Sequence, residues 1–438
     1  MRLYINWFVD NSLFIKFNKS GVSSEFGVFL SQSDIMEHTL KKIAWIDCIF
    51  IPMDRANSIT TRVWVNAWSN YEMDNEHGIS HFLEHANFLW WKKYKTENEL
   101  KDFVRDIWWA INWWTWDYRT SYFINSPYEY WEDQLDILWD MVVDASYPGA
   151  ALENERWVVI QEIKKAKDDN VKESYYQWRM FFMWDNSYWR NILWPEENIK
   201  SFQKQDFLKY KNELYAKDNM VIVIAWKIVE QRKLEKLIER NFWKLAETHL
   251  RDGLNFERNL PVEHEKHIEK WINQPRVDMF IPWISCVSDE SIYCSILAEI
   301  VKRRLYQKIR QELWLCYWIR MIHENQKKYG FFLLETGLQK DKLFFWLEKI
   351  NEVIDDLISW WIGENELNSI KNSRKWSMLI NYETPSRVAD FVADNYVTCN
   401  KIIFPEDRAK EFENVKMEDV VKLLPLLKRE NRYTFYIK

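Results

Sequence analysis

The sequence predicts an α+β fold divided between two domains, and three observations carry this. A chain of 438 residues suits two cores of about 200 residues each better than one. Short β-branched and aromatic runs occur in both halves, each set accompanied by longer stretches with helical spacing. Between the halves, Arg251-Asp252-Gly253-Leu254-Asn255-Phe256-Glu257-Arg258-Asn259-Leu260-Pro261 is polar and rich in turn residues, which marks a linker.

Residues 1–37 alternate apolar and polar side chains weakly and read as one or two extra strands or an N-terminal arm. Ile46–Ile51 and Thr61–Val65 alternate clearly and predict adjacent strands. A helix is expected over roughly Glu76–Leu89. A second is expected over Thr96–Ile107, with Leu100, Phe103 and Ile107 on one face and Thr96 as N-cap ahead of Glu99. Strands around 110–112 and 120–124 follow, then helices near 127–146 and 150–168. The strand 220–225 and a helix over 230–242 close the first half. The second half is expected to hold strands near 265–282, a helix over 289–312, two strands near 315–338, and helices to the end.

Composition narrows the function. Hydrophobic residues make up 47% and charged residues 29%, and the net charge of −6 leaves no basic footprint for nucleic acid. No run approaches 18 apolar residues, so a membrane span is not expected. The first ten residues are broken by Asn6 and Asp10 before a signal peptide could form, so a cytoplasmic location is expected. Cys48, Cys286, Cys294, Cys316 and Cys399 are scattered, without C-x-x-C spacing, and read as free thiols.

The tryptophans stand out. Trp numbers 28 and Gly only 8, against a usual glycine share of about 7%. Trp90-Trp91, Trp108-Trp109, Trp113-Trp114 and Trp360-Trp361 stand where turns usually read Gly-Gly. Some bacterial lineages read UGA as glycine, so we read many of these tryptophans as glycine codons decoded as tryptophan. The alternative, a tryptophan-rich carbohydrate-binding surface, requires exposed stacking positions instead of paired residues in turns.

His81-Phe82-Leu83-Glu84-His85 carries the chemistry. Residues four apart share a helix face, so His81 and His85 can direct imidazole nitrogens at one metal ion. Glu84 lies near that face without being needed as a ligand, free to take a proton from water. A chain of this composition produces the pattern by chance roughly 0.02 times. Catalytic zinc takes three protein ligands and one open position, and Glu162 offers the third. His264-Glu265-Lys266-His267 lies in a charged run and reads as solvated surface. His77 is given no role.

These residues and their spacing resemble the pitrilysin/insulinase family of zinc peptidases, in particular its shorter two-domain bacterial and mitochondrial-processing type. In that family a glutamate ligand follows the inverted motif after 76 residues, the interval between His85 and Glu162. The likeness runs from about His38 to the C-terminus. It implies two similar α+β domains, each an antiparallel sheet packed with helices, here over 38–247 and 263–438 with the linker at 248–262. It also implies one zinc per chain, held by His81, His85 and Glu162, with Glu84 as general base and Glu155 behind the ligands. Trp64, Trp68, Trp189, Trp194 and Trp314 fall on glycines of the family. Arg310 and Tyr317 match a pair that binds substrate, an arginine to fix a peptide carbonyl and a tyrosine to donate to the oxyanion. Asn112 and Thr115 match an edge-strand motif that aligns peptide, although Trp113 replaces a small residue there. The function implied is zinc-dependent endopeptidase action on peptides or unfolded segments, in a homodimer or paired with a homologous subunit. The alternative is a non-catalytic partner subunit, against which the retention of all six site residues speaks.

Overall fold

The structure is a computed structural model that describes residues 38–89, 92, 94, 97–106, 110–116, 119–182, 195–227, 230–253, 260–270, 274–314, 316, 318–338, 342–359 and 362–438. The readings for residues 1–37, Thr96, Tyr317 and the tryptophan pairs 90–91, 108–109 and 360–361 lie outside these residues, as do those for Trp189 and Trp194.

The first half builds a sheet from β1 (Thr39–Ile43), β2 (Ile46–Pro52), β3 (Ser58–Val65), β4 (Ala110–Trp116), β5 (Arg119–Pro127) and β6 (Met220–Trp226), in spatial order β1-β2-β6-β3-β5-β4. Its helices are α1 (Ile79–Ala86), α2 (Glu97–Asp106), α3 (Trp131–Val142), α4 (Gly149–Asp168), α5 (Asn170–Phe182), α6 (Glu196–Ser201), α7 (Lys204–Leu214) and α8 (Gln231–Phe242). The second half builds a sheet in the order β7-β11-β8-β10-β9 from β7 (Glu265–Ile268), β8 (Arg276–Trp283), β9 (Ile319–Asn325), β10 (Gly330–Gly337) and β11 (Tyr433–Ile437). With it go α9 (Ser291–Leu305), α10 (Leu343–Ser359), α11 (Glu364–Asn381), α12 (Pro385–Cys399), α13 (Pro405–Asn414) and α14 (Met417–Val421).

The two-domain α+β expectation holds, with corrections to the strand pairing and to the helices. Neither sheet is purely antiparallel: β2 pairs with β6 in parallel, and β7 pairs with β11 in parallel. Each parallel pair joins strands far apart in sequence, with helices between them, as parallel pairing requires. The expectation of helices to the end fails at β11, which returns to the interior of the second sheet. The helix expected over 289–312 changes character after α9 and continues as a π-helical stretch, Tyr306–Glu312.

Strand β6 is buried along its whole length, Met220 to Trp226, because both faces of the first sheet are covered. On one face Ile46, Cys48, Phe50, Val63, Ile222 and Ile224 meet α1, α3, α4 and α7. On the other, Ile49, Ile51, Trp64, Val221, Val223 and Ala225 meet Val388, Ala389, Val392 and Ala393 of α12. That helix belongs to the second half of the chain. In return α5, from the first half, lays Trp178, Phe181 and Phe182 on Phe280, Phe331, Tyr433 and Phe435 of the second sheet. The exchange carries buried charge: Arg62 meets Asp390 at 3.0 Å, and Arg119 meets Asp394 and Thr398.

One cysteine reading is corrected. Cys286, after β8, and Cys399, at the end of α12, form a disulfide with Cα atoms 5.9 Å apart. Their sequence separation of 113 hides the pairing from any local pattern. Cys48, Cys294 and Cys316 are free and buried.

Candidate metal centre

Helix α1 starts later than its periodicity suggests. Gly78 takes φ 107° and ψ −4°, a left-handed turn open to glycine and costly for other residues. The turn ends the run of 3₁₀ turns at Ser69–Tyr71 and Asp74–Glu76 and lets the helix begin at Ile79. Ile79, Phe82, Leu83 and Ala86 then enter the core, which leaves His81 and His85, four apart, turned toward α4. The far end of α1 is held by Asn87. Its amide donates to Tyr122 Oη at 2.8 Å and accepts from Tyr147 Oη at 2.8 Å, and Tyr122 meets Tyr215 at 2.8 Å.

Helix α4 is fixed beside α1 by Arg156, which donates to the carbonyls of Ile199 and Phe202 and lies 5.3 Å from the Phe82 ring. This places Glu155 and Glu162 on the side facing the histidines. Glu162 Oε2 lies 3.8 Å from His81 Nε2 and 3.6 Å from His85 Nε2, and the three ligand atoms fall within 4.8 Å of one another. Two donors bound to one zinc at its usual bond lengths stand about 3.3 Å apart, so closure needs only small side-chain movement. Glu155 Oε1 sits 2.6 Å from His85 Nδ1, which leaves Nε2 to face the cluster. Two imidazoles, one half-exposed carboxylate and an open side fit a catalytic zinc site.

The electrostatics differ between the two histidines. Burial, then the neighbouring His85, holds His81 well below the ordinary histidine range, so it is neutral. Burial also presses His85 downward, but hydrogen bonds to Glu155 and Glu162 and the Glu84 charge outweigh it and push it up to about 10. The His85 hydrogen bond draws Glu162 below its usual range. Glu84 is buried at 2% exposure, next to His85 in sequence and within electrostatic reach of Tyr122 and Tyr215.

The structure thus brings His81, His85, Glu162 and Glu155 together, with Glu84 on the same helix. Arg310 lies apart, in the π-helical stretch, its guanidinium 5.4 Å from the Trp314 ring. Among the described residues no contact links it to the histidines. Asn112 and Thr115 lie on β4, the edge strand beyond β5, in register with Phe123 and Thr120. His264 and His267 are exposed and stack on Tyr433 and Tyr436. Arg251, inside the expected linker, binds Glu76, Glu213 and the Tyr71 carbonyl, and so braces the segment before α1. Neither this brace nor the Asn87 clamp was expected, since no periodicity marks residues that meet only in space.

The profile of "Insulinase (Peptidase family M16)" matches residues 50–187, and that of "Peptidase M16 inactive domain" matches 201–374. An "Uncharacterized zinc protease" of Rickettsia bellii is 24% identical over 378 residues, covering 84% of this chain and 90% of that protein. The "Uncharacterized zinc protease YmxG" of Bacillus subtilis is 24% identical over 374 residues, covering 83% and 88%. The "Mitochondrial-processing peptidase subunit beta" of Dictyostelium discoideum is 21% identical over 403 residues, covering 84% and 81%. In fold, a protease from Helicobacter pylori superposes with TM-score 0.81 at 19% identity, over 92% of this chain and 99% of that one. An M16 inactive-domain protein from Pseudomonas fluorescens superposes with TM-score 0.83 at 12% identity, over 92% and 98%.

Proposed function

The chain belongs to the M16 (insulinase) peptidase family, and from that premise we propose that it is a zinc-dependent endopeptidase acting on peptides or unfolded segments. The observation that carries the proposal is the convergence of His81, His85 and Glu162 from two helices, with Glu155 fixing His85 from behind. The chemistry a zinc ion supplies when bound there is acidification of water and polarisation of the scissile carbonyl. His81, neutral through burial, offers its lone pair without first losing a proton. Glu155 keeps the His85 ring in the orientation that presents Nε2. Glu84 accepts the proton of the attacking water at its carboxylate and delivers it to the leaving amide nitrogen. The free edge of β4 offers backbone groups to an extended peptide, with Asn112 and Thr115 along it.

Arg310 and Tyr317 of the second half are assigned to the peptide carbonyl and the oxyanion. Among the described residues Arg310 makes no contact with the zinc triad, so we assign it to the site of a second subunit in a two-fold pair. Relatives named as a mitochondrial-processing peptidase subunit support an assembly of this kind.

The test is cleavage of a peptide library with and without a chelator, using the parent and Glu84→Gln. The variant is expected to keep its zinc and lose nearly all turnover. Zinc-loaded parent that cleaves nothing would refute the peptidase reading. Mixing Glu84→Gln with Arg310→Ala under subunit exchange is expected to restore part of the activity, and no recovery despite verified exchange would refute the shared site.

A further inference from the structure

Six residues before Gly78, the N-cap of α1, stands a carboxylate that nothing above has used. Glu72 is fully buried. Its Oε2 accepts from the Gly78 backbone N–H at 2.9 Å, and its Oε1 accepts from the Ser80 backbone N–H at 2.9 Å and from the Ser80 hydroxyl. A helix leaves its first backbone N–H groups without partners, and an N-cap side chain usually accepts from one of them. Here the N-cap is Gly78, which its φ of 107° demands and which has no side chain to offer. Glu72 takes over that duty from outside the helix, and its negative charge suits the positive end of the helix dipole.

We propose that Glu72 is a positioning residue for the metal site. It fixes the rotation of α1 about its own axis, and with it the direction of His81 and His85. The inference rests on the zinc reading above. A side chain reaches roughly 6 Å from a helix axis, so a rotation of about 10° displaces a ligating nitrogen by about 1 Å. Ligand geometry tolerates about half that. At the first turn of α1 that rotation is fixed by three hydrogen bonds to one buried carboxylate. The segment that carries Glu72 is itself held: Arg251 binds Glu76 and the Tyr71 carbonyl, Asn198 donates to the His77 carbonyl at 3.0 Å, and Tyr210 donates to the Trp68 carbonyl at 3.2 Å.

The test uses the full chain, titrated with zinc against a chromophoric chelator and with cobalt in the visible spectrum, well below the melting temperature. Glu72→Gln is expected to weaken zinc about 10- to 100-fold, as loss of a residue supporting the ligands does. Its cobalt bands are expected to shift while its far-ultraviolet circular dichroism stays that of the parent. Asp74→Asn, which removes an exposed charge from the same segment, is expected to match the parent. Ser80→Ala, which deletes one donor and keeps the helix, is expected to shift the cobalt bands with a smaller loss of affinity. A folded Glu72→Gln with parental affinity and spectrum overturns the inference, as does an equal loss in Asp74→Asn. If Glu72→Gln does not fold, Ser80→Ala decides alone, and a parental result for it overturns the inference. A parent that binds no zinc overturns the metal reading first, and this inference with it.

Discussion

His85 is the residue on which the pH behaviour of the site turns. In the metal-free chain Glu155, Glu162 and Glu84 push it up to about 10, yet a ligating imidazole must be neutral. On the zinc reading, the metal must displace a proton from His85 at any pH below that value. Apparent zinc affinity is expected to rise with pH from neutrality to about 10 and then level off. Near pH 7, calorimetry in buffers of different ionisation enthalpy is expected to find about one proton released per zinc bound. Zinc uptake without proton release would show that His85 is neutral beforehand. The tryptophans separate at the same scale. Ala44 and Trp45, between β1 and β2, take φ 50° and 70°, the two-residue turn that favours Asn-Gly. Trp314 takes φ 53°. Trp178 and Trp346, by contrast, are fully buried in the two halves. Trp45→Gly is expected to raise stability by about 1 kcal/mol, and Trp178→Gly to lower it by about 3–5 kcal/mol. Thermal melts check both, and a destabilised Trp45→Gly would refute glycine as the natural residue of that turn.

Among the elements, β11 has the widest consequences for its size. It is five residues long, lies at the C-terminus, and pairs with β7 on one side and β8 on the other. Phe435 and Ile437 enter the cluster under α5, while Tyr436 enters the core on the opposite face. Removing it opens the sheet and uncovers both faces at once. A chain ending at Asn431 is expected to lose the cooperative melting of its second half and to become protease-sensitive there. A truncated chain that melts like the parent would mean that β7 and β8 close the gap without it. Helix α1 shows the converse economy. Its eight residues would not hold their shape alone in water, and they are secured by the Glu72 cap, the core face and the Asn87 clamp.

For the whole molecule, the exchange of α5 and α12 ties the two halves together. Beneath α5, Asp278 of β8 is fully buried among Arg276, Glu335 and Ser174. Burial, the dominant cause, raises its carboxyl to about 6 from 3.8 against the opposing pull of Arg276 and Ser174. A raised acid favours the folded state while it is protonated, so its contribution is complete below about pH 4 and is lost as pH rises through about 6. The stability of the parent relative to Asp278→Asn is expected to fall over that window and to be flat above it. Melting temperatures of the two proteins across pH 4–8 read this directly, and a difference that does not change with pH would show that Asp278 titrates normally.

The sequence by itself determined the elements whose pattern is local. The alternation of 46–51 and 61–65 and the apolar run of 220–225 each reflect a face buried against something, whatever that something is. It also placed His81 and His85 on one helix face, because four residues make about one turn. The identity of Glu162 came from a spacing shared with a family, not from any rule of helix geometry. Only the tertiary structure decided what depends on contacts between distant residues. These are the parallel partners of β2 and β7, the return of β11, the Cys286–Cys399 pair, the exchange of α5 and α12, and the buried carboxylate of Glu72 at the head of α1. Periodicity records that a side chain is buried and on which face, but the partner that buries it is chosen by the packing of the whole chain.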